Sequence, residues 1–197
     1  MAPVTPGPRS PCGGGSDVAP RRALFYANPM QDTPAPGIRP TDDDAREMAR
    51  GLLAQARTAA LAVLDPDTAG PMASRIAFGR APDGLPLSLI SDLAAHSRAL
   101  AADPRCSLLL DGPAGRGDPL NHPRLTLQAR AHFVRHGADR HKALLHHYLA
   151  QHPKAKLYAG FADFAFVLFD VDRAMLNGGF GKAYHLTHAD MGLAQPR

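Results

Sequence analysis

Apolar positions in this chain follow two periods, one helical and one extended, and the change between them sets out the elements. From residue 39, RPTDDDAREMARGLLAQART opens on a Pro and a Thr/Asp cap cluster and then places Ala45, Met48, Leu52 and Leu53 on one face, which predicts an amphipathic helix. Behind it AALAVLD is a continuous apolar run, PDTAG is turn chemistry, PMASRIAFGR alternates, APDG is a second turn, and LPLSLISD reads as a third strand. That succession is a β-meander. LAAHSRALAADP then reads as a helix ending at Pro104, and RCSLLLDG returns as a strand.

Residues 113–123, PAGRGDPLNHP, carry turn formers throughout and predict a loop, after which RLTLQARAHFVRH is long enough to cross most of a barrel. GADRHKALLHHYLAQHP is helical, with Ala143, Leu144, Tyr148 and Leu149 as its apolar stripe, and FAFVLFDVDRAMLNGG supplies the last substantial strand. Five or six strands at short intervals, with helices inserted rather than alternating, point to a mainly β fold, an antiparallel barrel, and not to a doubly wound sheet. An exposed FAFVLFDV face on such a barrel calls for a second copy of the chain to cover it.

Composition divides the 197 residues unevenly. The opening MAPVTPGPRSPCGGGSDVAP is Pro, Gly and Ser with almost no apolar content, so residues 1–40 are expected as a disordered or extended tail, 41–190 as the barrel domain and 191–197 as a short C-terminal tail. The opening lacks the apolar stretch of a secretory signal, and no run of about 18 apolar residues occurs, so neither export nor a membrane span is expected. Cys12 and Cys106 form no framework of paired spacings, which fits a reducing, cytoplasmic setting. The net charge of +4 and pI near 9.4 come from scattered Arg residues, with no basic run interleaved with stacking aromatics, so nucleic acid is not an expected partner. A basic excess of that kind suits an anionic small molecule.

Period-two alternation puts Arg75 on the face opposite Ser74, Ile76 and Phe78, with Ala73 and Ala77 beside it. It is either a solvent-facing Arg or a guanidinium with room for a ligand between small neighbours. Ser91, Ser97 and Arg98 surround the opening turns of the following helix, where hydroxyls, free N–H groups and the dipole suit a phosphate. Equally, Ser91 or Asp92 caps that helix and Ser97 is an idle hydroxyl. His141, His146 and His147 lack a ligand spacing and read as surface residues. The glycines of NGGFGKA read as a bend or a close approach rather than a phosphate loop.

Taken in order, SRIAFGR, PLSLISDLAAHSRALAADPRCSLLLDG and PRLTLQARAHFV resemble the FMN-binding split-barrel superfamily that includes pyridoxamine 5′-phosphate oxidase. HPKAKLYAGFADF and GGFGKA resemble phrases of its HugZ-type haem-utilisation branch, and the likeness spans about residues 45–188. The resemblance implies a six-stranded antiparallel split β-barrel with peripheral helices that forms a homodimer holding FMN at the subunit interface, and so a flavin-dependent oxidoreductase. By position it assigns Arg75 to the flavin or its phosphate, Ser91 to the cofactor-binding hydroxyl at the end of the next strand, Ser97 and Arg98 to the phosphate clamp, and Thr126 and Gln128 to the strand that the partner brings towards the ring. The third clamp position is Ala99, where the family carries Lys, and no C-terminal Arg and His pair for vitamin B6 oxidation follows. The HugZ-type likeness implies haem as the alternative ligand, with possible haem breakdown, His185 or His188 as the axial ligand and Asp163 as a partner that orients it. A non-catalytic binding module is the third alternative. No side chain stands out as an obligatory acid or base, and no metal site other than that of haem is expected.

Overall fold

The structure, a computed structural model, describes residues 37–195 with the exception of Ala114; the expected tail lies, up to residue 36, outside the described residues. The chain runs α1 (Asp43–Gln55), β1 (Thr58–Leu64), β2 (Pro71–Ala77), β3 (Gly79–Arg80), β4 (Pro86–Ser91), α2 (Ala95–Ala102), β5 (Arg105–Asp111), β6 (Arg124–Val134), α3 (Asp139–Gln151), β7 (Phe164–Asn177) and β8 (Ala183–Leu186). Single 3-10 turns lie at Pro119–Asn121 and Pro153–Leu157. All strand pairs are antiparallel, in the order β2-β1-β5-β6-β7-β4-β3, with β8 added along the second half of β7. The six long strands are those expected from the apolar runs; β3 and β8 are short additions.

A single residue closes this sheet into a barrel. β2 lies at one edge and β3 at the other, yet only Phe78 separates them in sequence. Consecutive Cα atoms lie about 3.8 Å apart, so the two edges must meet there. Phe78 is buried, and its N–H donates to the Arg57 carbonyl at 2.8 Å. The Ser88 hydroxyl donates to the Ala77 carbonyl at 2.7 Å, which ties β4 to β2 beside that crossing. Further along, Arg75 to Ala77 and Leu89 to Ser91 line a slot between the two strands, and this is the split of the barrel.

Alternation fills the interior. Ala59, Leu61 and Val63 of β1, Leu108 and Leu110 of β5, and Leu125, Leu127, Ala129 and Ala131 of β6 all point inward and are buried. On α1 the Asp42 carboxylate accepts from the Ala45 N–H at 2.8 Å, and Ala45, Ala49, Leu52 and Leu53 join the same core. Met191 and Leu193 are also buried in it, and Arg39 bridges Tyr184, so the packed unit reaches into both flanks.

β7 departs from simple alternation because both of its faces are covered. Val167, Phe169 and Val171 face the barrel interior, while Phe166 and Leu168 pack beneath Leu144 and Tyr148 of α3. The chain's own helix thus covers the face expected to need a partner, so that reason for a dimer falls away. At the register shift between Gln128 and Ala129 the partners jump from Arg173 to Val171, leaving Asp172 as the extra residue of a bulge. The bulge resets the phase, so that Ala174 and Leu176 face the interior beyond it.

The NGGFGKA segment forms the β7–β8 turn. Gly179 and Gly181 have φ of 111° and 68°, and a Cβ on Gly179 would stand 3.0 Å from the Asn121 carbonyl oxygen. The glycines answer a bend and a close approach, as expected. No helix among the described residues is long and apolar enough to cross a membrane.

Candidate functional site

The slot between β2 and β4 encloses about 280 Å³, lined by Arg75, Ile76, Ala77, Leu89, Ile90, Ser91, Ala94, His96, Tyr158 and Phe164. Most of that lining is apolar. The Tyr158 and Phe164 rings lie 5.0 Å apart at one wall, and Phe161, more than half exposed, stands beside Phe164. Leu93 and Leu157 are also strongly exposed on the neighbouring segments.

Arg75 points out of the barrel, as alternation predicts, and borders a second cleft of about 370 Å³ with Arg57, Thr58, Ala60, Leu109 and Asp111. Its guanidinium makes no hydrogen bond or ion pair with any described residue. A cation with five donors left open between two clefts is available to an anion.

Two other polar side chains of the slot, Ser91 and His96, have partners. Ser91 donates from its hydroxyl to an Asp163 carboxylate oxygen at 2.6 Å and accepts from the Leu93 N–H at 3.1 Å. The Asp92 N–H donates to the Asp163 carbonyl at 2.7 Å, so Asp163 fastens the end of β4 to the start of β7 and stands with Ser91 rather than with either C-terminal His. His96 lies in the first turn of α2, with Nδ1 3.0 Å from the Ser74 hydroxyl, and burial holds its pKa below the ordinary value.

Ser97 and Arg98 do not join this site. Ser97 is buried and donates to the Ser91 carbonyl at 2.6 Å, locking the corner between β4 and α2. Arg98 is exposed; its charge is felt by Asp65 in the β1–β2 turn, whose carboxyl is held low first by the Thr68 and Asp67 backbone N–H groups and last by Arg98. Neighbouring positions on a helix diverge by about 100°, so one faces the core while the next faces water. Ala99 is fully buried against the barrel, where a lysine would have no room. α2 begins at Ala95 with Ala94 as N-cap, and no side chain caps it, so neither Ser91 nor Asp92 takes that role.

Thr126 and Gln128 are on the outer face of β6, away from the slot. Thr126 lines a cleft of about 190 Å³ with Arg124, Met175 and His185, while Gln128 accepts from Arg173 Nε at 2.5 Å. His185 is exposed on β8 and pairs with Met175 in register; His188 lies in the turn after β8, where its carbonyl accepts from the Leu193 N–H at 2.9 Å. The β1, β5 and β6 strands present Ala60, Ala62, Leu64, Ser107, Leu109 and Thr126 outward, and Leu64 is 41 % exposed.

His141 is a correction to the sequence reading. It is buried, with its ring 4.2 Å from that of His136 and 5.2 Å from Phe166, and its Nε2 has no partner. The stripe of α3 runs through His141, Leu144 and Tyr148, whereas Ala143 faces solvent. Burial, and then the nearby His136, lower the pKa of His141. The folded protein therefore takes up this proton less readily than the unfolded chain, so stability is complete above the unfolded value near 6.5 and falls as pH drops below it. His96 shifts in the same direction. The urea midpoint is expected to fall between about pH 7.5 and about pH 5.5, and His141→Leu to shrink that step; an unchanged step in the variant would remove His141 from the account.

A family model described as CREG, beta-barrel, matches residues 40–191. Non-canonical heme oxygenase HOZ, chloroplastic, of Arabidopsis thaliana is 34 % identical over 97 residues, which are 49 % of this chain and 28 % of that protein. A heme binding protein of Mycobacterium smegmatis is 32 % identical at a TM-score of 0.68, over 81 % of this chain and 63 % of its own. This chain therefore spans just over a quarter of the plant protein and under two thirds of the mycobacterial one. A protein of Clostridium acetobutylicum related to general stress protein 26, of the pyridoxinephosphate oxidase family, shares the fold at a TM-score of 0.57 and 9 % identity, over 77 % of this chain and 99 % of its own. The fold is that of the split-barrel superfamily, as the sequence phrases imply.

Proposed function

Because the chain belongs to the CREG β-barrel family, we propose that it binds haem in the slot between β2 and β4 and serves haem handling, either storage or breakdown. The observation that carries this reading is the Arg75 guanidinium, without a partner among the described residues, beside an apolar slot that is also lined by an imidazole. Haem is a flat apolar macrocycle with two carboxylates and an iron that accepts imidazole, and each of those features has a counterpart here. The haem names of the plant and mycobacterial relatives favour the same reading.

The residues suit haem better than they suit a phosphate. Of the expected clamp, the Ser97 hydroxyl is spent on a backbone carbonyl, and Arg98 lies towards the β1–β2 turn. At Ser91 the nearest charge is the Asp163 carboxylate, which repels an anion. FMN, and with it flavin-dependent oxidoreductase activity, is the second reading; it is favoured by Arg75 and Ser91 lining one slot.

A slot of this size buries only part of either cofactor, and we propose that a second copy of the chain closes it. The uncovered outer face of β1, β5 and β6, with its small and half-exposed apolar side chains, suits that contact. When bound, haem would supply the redox chemistry; Arg75 would hold a carboxylate, and the Tyr158 and Phe164 walls would keep water from its face.

The test is the visible spectrum of the full chain titrated with haemin and, separately, with FMN, paired with sedimentation. An intense Soret band that saturates at one haem per chain in a dimer supports the reading. Saturable uptake of FMN alone replaces it with the flavin reading, and uptake of neither leaves a binding module for some other ligand and overturns both.

A further inference from the structure

We propose that His96 is the side chain that ligates haem iron in the β2–β4 slot. This rests on the haem reading above and names the chain's own ligand for it.

Four observations converge on this ring. His96 lines the slot itself, together with Ala94, Tyr158 and Phe164. One of its nitrogens is already fixed, since Nδ1 lies 3.0 Å from the Ser74 hydroxyl. Nε2 has no partner among the described residues. Burial also favours the neutral imidazole, which has the lone pair that a metal needs. An imidazole with one nitrogen oriented by a neighbour and the other left open is the arrangement of a metal ligand; the orienting bond sets the tautomer and the ring angle. For Nε2 to present its lone pair, Nδ1 must carry the proton and donate it to Ser74 Oγ, which a hydroxyl can accept.

Arg75 supplies the complement. It lies one residue beyond Ser74 on β2, so its side chain leaves the strand on the opposite face from the group that holds His96. Both His96, from α2, and Arg75, from β2, nevertheless line the slot, so one ligand there has an imidazole and a guanidinium to meet. By contrast, His185 is exposed on β8 in a different cleft, and no described residue orients its ring; His188 lies in the turn beyond. Neither lines the slot.

The experiment compares the ferric spectra of full-length wild type, His96→Ala, His185→Ala and His188→Ala with added haemin, and checks each fold by circular dichroism. His96→Ala is expected to lose the imidazole-ligated spectrum, and free imidazole to restore it by entering the vacated space. Ser74→Ala is expected to keep that spectrum but weaken haem binding about tenfold, as loss of an orienting partner does. If wild type takes up no haem, the functional reading fails. If wild type binds haem and His96→Ala keeps the wild-type spectrum while His185→Ala or His188→Ala loses it, this assignment is overturned and the functional reading stands. Should His96→Ala misfold, His96→Gln, which keeps a polar group beside Ser74, takes its place with the same two outcomes.

Discussion

Phe169→Ala is expected to destabilise the protein by about 3–5 kcal/mol, the range for emptying a well-packed aromatic site. Phe169 is fully buried near the middle of β7 and faces the barrel interior opposite Ala131. A barrel cannot collapse around such a hole, because hydrogen-bonded strands on every side fix its circumference. For a chain of this length the loss corresponds to a fall in Tm of roughly 6–20 °C. Urea unfolding at constant m-value measures it, and Phe180→Ala, at a side chain 96 % exposed in the β7–β8 turn, is the control expected to shift stability by less than about 0.5 kcal/mol. A Phe169→Ala loss under about 1 kcal/mol would mean that the interior of the barrel is not where the alternation of β6 and β7 puts it.

The same strand shows how far the fold was legible. FAFVLFDV declared a strand by its length and content, yet an unbroken apolar run also says that both faces are buried, and only the structure identifies α3 as the cover. β8 escaped notice because AYHL is four residues between a glycine turn and a polar turn, too short for a period to show. His141 reads as a surface residue for want of a ligand spacing, although it stands three positions before the buried Leu144 and so shares its side of α3. At the site, period two fixes the side of β2 from which Arg75 leaves, whereas Ser91 is singled out by its place between a strand and the opening of a helix. Ser97 and Arg98 were grouped by adjacency in sequence, which on a helix separates rather than joins. His96 carried a usable signal, since it lies three and four positions before the buried Ala99 and Leu100 and so shares their side of α2. Tyr158 and Phe164 arrive from 60 or more positions away, and only the pairing of β4 with β7 brings them to the slot.

Arg75→Ala is expected to lower haem affinity by one to two decades while leaving the urea midpoint where it is. Charge-assisted hydrogen bonds are worth about 1.5–3 kcal/mol, and a tenfold change in affinity corresponds to about 1.4 kcal/mol. Stability should not move, because the guanidinium has no partner among the described residues to lose. Arg98→Ala is the informative comparison. The resemblance puts Arg98 in the phosphate clamp, but in the structure it is exposed on α2 and its charge acts towards the β1–β2 turn. Its removal should change affinity less than about twofold at moderate salt, because it does not line the slot and an exposed charge is screened by salt. Titrations of the two variants with haemin under one buffer decide between the positions. Equal losses would mean that the ligand reaches around α2 to both cations, and the slot between β2 and β4 would then be too small a description of the site.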